Sequence, residues 1–215
     1  HKPLILRGAR QVGKTTVVNE FSSQFDNYLY FNLEMSESVR LFEMDIPLND
    51  LVNMLFASLG KSQKKGSTLI FIDEIQNSPK TIALLRYFYE QRPDLYVIAA
   101  GSLLENLVDV NVSFPVGRVM YLALRPCSFY EFLGAIGKNN LLTILSQKAE
   151  YSIAFHEQLM HQFNQYTIIG GMPEAVQHYA ETQDIIAIED VYETLIQAYK
   201  DDSEKYARSN KLTDV

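Results

Sequence analysis

Short apolar runs rich in β-branched and aromatic residues recur along the first part of the chain. Pro3 to Arg7, Tyr28 to Leu33, Thr68 to Ile72, Tyr96 to Ala100 and Arg118 to Leu124 read as strands. Between them lie stretches with helical spacing of apolar residues: Thr15 to Phe25, Asp50 to Leu59, and Thr81 to Gln91, the last introduced by Ser78-Pro79. Alternation of strand and helix predicts a three-layer α/β fold with a mostly parallel sheet. From Ser128 onward the strand pattern stops. Ser128 to Ile136, Asn140 to Glu150, Ser152 to Tyr166, Pro173 to Glu181 and Ile185 to Ala207 read as helices, with Gly170-Gly171 breaking the series. The expected division is an α/β unit over residues 1–127 and an all-helical segment over 128–215.

Composition narrows the picture only at a few points. With 47% hydrophobic and 21% charged residues in 215, the chain can bury a substantial core and is not of a disordered class. Its net charge of −7 gives no global attraction to nucleic acid, so such a partner would need a local patch. No apolar stretch reaches the ~18 residues of a membrane span, no signal-peptide pattern opens the chain, and the lone Cys127 suits a reducing compartment. A cytoplasmic protein without a membrane partner is expected. Because the first residue is His1 and the last helical pattern runs into polar Ser209-Asn210-Lys211, the sequence is also expected to be part of a longer one.

The candidate chemistry begins immediately after the first strand. Gly8-Ala9-Arg10-Gln11-Val12-Gly13-Lys14-Thr15, followed by Thr16, has the spacing of a phosphate-binding P-loop. A strand that ends in a glycine turn and re-enters as a helix leaves several main-chain N–H groups without intrahelical partners at the positive end of the helix dipole. Such a nest takes an anion. Lys14 is the point charge for the β- and γ-phosphates, and the Thr15 hydroxyl is a ligand for the Mg²⁺ that bridges them.

Three further elements could complete a phosphoryl-transfer site. Leu69-Ile70-Phe71-Ile72-Asp73-Glu74 is a buried strand ending in carboxylates, a Walker B pattern in which Asp73 holds Mg²⁺ and Glu74 polarises the attacking water. Ser102, at the tip of the strand ending in Ala100, reads either as a sensor of the γ-phosphate or as a helix N-cap with Glu105 completing a capping box. Arg118, with Arg125 as a second candidate, reads either as an arginine finger, within the chain or on a neighbour, or as a surface ion pair. His156 and His161 are five apart and do not share a helix face well enough for a metal pair.

The ordered series of these motifs with Ala-Gly-Ser-Leu-Leu, Gly-Arg-Val, Leu-Arg-Pro-Cys-Ser-Phe-Tyr-Glu-Phe and Gly-Gly-Met-Pro-Glu-Ala-Val resembles the prokaryotic AAA-type P-loop ATPases related to the signalling STAND class. The resemblance implies an AAA-like core with strand order 5-1-4-3-2, ATP and Mg²⁺ as ligands, and a helical region of winged-helix character over the nucleotide. It also implies a C-terminal domain of unknown function, truncated here. The leading function is Mg²⁺-dependent ATP hydrolysis that moves the helical segment against the core. The alternative is a nucleotide-gated interaction module with little turnover, whose output is an unidentified protein partner. A homo-oligomer is compatible with either. A small-molecule kinase would need an acceptor pocket and an arginine-bearing lid that are not evident, and a DNA-dependent motor is disfavoured by the acidic balance.

Overall fold

The computed structural model describes residues 1–63, 65–101, 115, 117–147 and 152–209, apart from the side chains of 202 and 205–209. Its contacts divide the chain into two compact units. One contains His1–Ala9 and Gly13–Leu124, the other Arg10–Val12 and Arg125–Val215.

The first unit is built on five strands: β1 (Leu4–Arg7), β2 (Asn27–Asn32), β3 (Thr68–Asp73), β4 (Leu95–Gly101) and β5 (Met120–Ala123). They form one sheet in the order β2-β3-β4-β1-β5, with every pairing parallel. Parallel neighbours cannot be joined by hairpins, so helices must carry the chain across the faces of the sheet. These are α1 (Lys14–Phe21), α2 (Ser36–Phe42), α3 (Leu48–Ser58) and α4 (Pro79–Gln91).

Alternation along each strand sorts the core into two faces. Ile5, Leu29, Phe31, Ile70, Ile72, Val97 and Ala99 cluster with Phe42, Leu51, Leu55, Phe56, Ile82, Leu85 and Phe88 from α2, α3 and α4. Leu6, Leu69, Phe71, Ile98 and Ala100, of opposite parity, cluster with Val18 of α1. All six residues of β3 are buried, as a strand covered on both faces requires. The opposite holds at the edge. All four residues of β5 are exposed, although its apolar sequence reads like that of a covered strand.

Two helix boundaries illustrate local causes. The Ser78 hydroxyl caps α4 by accepting from the Thr81 N–H at 3.2 Å, and Pro79 occupies the first helical position, where a missing N–H costs nothing. Helix α2 is not legible in the sequence. It is seven residues long and buries only Phe42, which leaves almost no periodic signal.

The described part of the second unit contains α5 (Phe129–Ala135), α6 (Asn139–Gln147), α7 (Ile153–Ile169), α8 (Pro173–Thr182) and α9 (Glu189–Ser209). No strand occurs among its described residues, so they include no wing of the winged-helix type. Helix α5 opens on a capping box in which Ser128 and Glu131 satisfy each other's main-chain N–H groups. Its Phe132 is the centre of a core with Ile169, Ala175, Val176, Tyr179 and Ile188. Gly171 is required by a close approach of backbone. The Cys127 N–H donates to Gly171 O at 2.7 Å, and a Cβ at residue 171 would stand 2.2 Å from Cys127 O.

Candidate nucleotide-binding site

The loop that leaves β1 is held in conformations that most side chains avoid. Gly8 has φ 154° and Gly13 φ 89°, and Gln11 lies in the left-handed region at φ 60°. Helix α1 starts at Gly13 without a side-chain cap, so the donors of its first turn have no side-chain partner at that position. Lys14 is 7% exposed, and its Nζ donates to Gly8 O at 2.9 Å and Ala9 O at 2.8 Å. An ammonium folded against its own loop keeps the positive charge at the mouth of the turn. Ala9, Gln11 and Thr16 are exposed, Arg10 is half-buried, and Val12 is buried.

Strand order brings the second motif alongside. The Thr15 hydroxyl donates to Asp73 Oδ2 at 2.7 Å, a distance typical of a charge-assisted O–H···O⁻ bond. Asp73 Oδ1 accepts from the Glu74 N–H at 3.0 Å, and the residue is 4% exposed. Its neighbour Glu74 has φ 52° and begins the 3₁₀ turn Ile75–Asn77. Burial pushes the Glu74 carboxyl above the usual carboxylate range. The Gln76 amide opposes that shift, Asp73 and Glu34 add to it, and Lys14 opposes it. On β2, burial and then Asp73 raise the Tyr30 hydroxyl above the ordinary phenol value.

These residues fit a triphosphate carrying a hard divalent ion. Mg²⁺ is held through one or two carboxylates together with phosphates and waters, and a hydroxyl and a carboxylate are paired here beside a loop of main-chain donors. Among the described residues no group of three or more His, Cys, Asp or Glu forms a separate metal site.

Two expectations fare differently. Ser102 and Glu105 lie outside the described residues. Arg118 is not brought to the P-loop of its own chain. The turn that contains it, with Gly117 at φ 77° and the Arg118 N–H donating to Pro115 O, precedes β5, whose Met120 N–H donates to Pro3 O. Arg118 therefore sits at the amino end of the strands, whereas the P-loop leaves the carboxyl end of β1. Four residues of strand, about 13 Å, separate the two levels. There Arg118 Nε pairs with Glu90 Oε1 at 2.6 Å, and Arg86 Nε meets the same oxygen at 2.9 Å. Within the chain, then, the surface ion pair describes Arg118 better than the finger. Gln76 had no assigned role in the sequence, although it closes the Asp-Glu-Ile-Gln run.

The model of a family described as AAA domain matches residues 1–133. The chain belongs to the AAA domain family. With the five-stranded parallel sheet and the P-loop, this makes it an AAA-type P-loop ATPase by family and fold. A second model, of a domain of unknown function, matches residues 160–215. Among solved structures, a Walker-type ATPase of Pyrococcus abyssi is similar to this chain at 17% identity and TM-score 0.58, covering 96% of this chain and 72% of that one. PCH-2 of C. elegans is similar at 12% identity and TM-score 0.46, over 85% of this chain and 56% of that one. Drosophila ORC, solved bound to DNA, is similar at 14% identity and TM-score 0.48, over 83% and 54%. No curated protein matches the chain. No helix among the described residues is long and apolar enough to cross a membrane.

Proposed function

We propose that this chain binds ATP with Mg²⁺ at Gly8 to Thr16 and hydrolyses it, and that the cycle moves the helical unit relative to the core. The observation that carries the reading is the 2.7 Å bond between Thr15 and Asp73, which unites the P-loop helix with the tip of β3. The main-chain donors of the loop and the Lys14 ammonium bind and orient the phosphates. Thr15 and Asp73 would hold Mg²⁺, which when bound neutralises the charge that develops on the transferred phosphoryl group. Glu74, next along the chain and half-buried, takes a proton from the attacking water.

Phosphate release by wild type and Glu74→Gln, measured beside ATP affinity, tests this. Loss of a general base predicts a fall of about 10²- to 10⁴-fold in turnover with binding retained. Equal, low rates for the two proteins, with tight binding in both, would instead support a nucleotide-gated module.

A further inference from the structure

Glu74 owes its orientation to one neighbour. The chain leaves β3 through the left-handed conformation at Glu74, and the turn that follows is anchored by Ile75, which is wholly buried. That turn carries Gln76 back to the carboxylate, where Gln76 Nε2 donates to Glu74 Oε2. An ionised carboxylate only accepts, which matches the amide's NH₂ end facing Glu74. Among the described residues no other side chain donates to Glu74. The far end of the amide shows what this arrangement costs, because Gln76 Oε1 is buried with no hydrogen-bond partner among the described residues. A glutamine needed only for solubility would turn that oxygen to water. A left-handed backbone at Glu74 and an unsatisfied acceptor on the side chain that contacts it are features that cluster at preorganised sites.

We infer that Gln76 is a positioning residue: its amide fixes the Glu74 carboxylate in the rotamer that meets the attacking water, so it contributes to the chemical step and not to nucleotide binding. The inference rests on Glu74 as the base proposed above. It assigns Gln76 no contact with nucleotide or metal.

The test uses Gln76→Met, which keeps the length of the side chain and removes both polar ends, in the whole chain and also in the Glu74→Gln background. Gln76→Ala serves as a second variant that cannot overpack. Expected for both is a tenfold or greater fall in kcat, with KM and the calorimetric Kd for ATP within twofold of wild type. The melting temperature of Gln76→Met should be unchanged or higher, since the orphan acceptor is gone, whereas a merely structural glutamine would lower it. In the Glu74→Gln background, removal of Gln76 should bring no further loss. Wild-type or raised kcat in the single variants would overturn the inference, and so would an equal loss in the Glu74→Gln background. Failure of the underlying reading is distinct, because Glu74→Gln alone would then turn over ATP at the wild-type rate.

Discussion

Replacing Thr15 by valine removes a hydroxyl while preserving shape, and the structure says what that should cost. Asp73 Oδ2 would lose the 2.7 Å bond, in a residue only 4% exposed whose carboxylate also interacts with the Tyr30 hydroxyl. Hydrogen bonds to charged groups contribute about 1.5–3 kcal/mol, and a chain of this size shifts its melting temperature by about 2–4 °C per kcal/mol. Thr15→Val should therefore melt roughly 3–12 °C below wild type. Thr15→Ser, which retains the donor, should stay close to wild type. The same pair is proposed to hold Mg²⁺, so the Mg²⁺-dependent part of ATP affinity should fall in the valine variant and survive in the serine variant. Thermal melts and titrations with and without Mg²⁺ provide the comparison. If Thr15→Asp73 coupling is real, Asp73→Asn should cost little more once Thr15 is valine. The reasoning is refuted if Thr15→Val melts with wild type, or if serine and valine lose stability and Mg²⁺ dependence equally.

Other consequences are simpler to check. Gly171→Ala places a Cβ 2.2 Å from Cys127 O, a clash with backbone that cannot rotate away. Thermal melting should show a loss of at least about 1–3 kcal/mol, the usual range for overpacking. Arg118→Ala should leave turnover intact, because its pairing with Glu90 lies at the amino end of the strands. Lost turnover with retained ATP affinity would instead mark Arg118 as acting on a neighbouring copy. Ser128 N–H and hydroxyl hold the Glu131 carboxyl below the usual carboxylate range. A lowered folded value stabilises above the unfolded pKa and ceases to do so as pH falls through the folded one. Hence Glu131→Ala should melt below wild type at neutral pH, and the gap should narrow in acid.

Much of the first unit was legible because burial on both faces leaves a strong imprint. The run Thr68 to Ile72 is apolar at nearly every position, and it forms the fully buried β3. The P-loop was legible for a different reason: its glycines are demanded by backbone angles at Gly8 and Gly13, not by packing. Strand order is not encoded in spacing, since any parallel order with long crossovers would show the same alternation. It was expected only through the resemblance, and the observed β2-β3-β4-β1-β5 is that order read from the other edge. Exposure of β5 was illegible, because Met120, Tyr121 and Leu122 have the chemistry of a covered strand. The position of Arg118, by contrast, could have been deduced. In a parallel sheet, a residue before one strand and a loop after another lie at opposite ends. Gln76 carries no signal of its own in sequence, since its significance is a contact set by the left-handed turn at Glu74.

The most direct test of the central claim is calorimetric titration of the folded protein with ATP in the presence of Mg²⁺, beside Lys14→Ala. Lys14 lies buried in the loop with its ammonium on Gly8 and Ala9, so its charge belongs to the same cradle as the main-chain donors. Saturable binding by wild type that is lost or greatly weakened in Lys14→Ala is the predicted result. No uptake of ATP by folded wild type, or equal affinity in the two proteins, would contradict it.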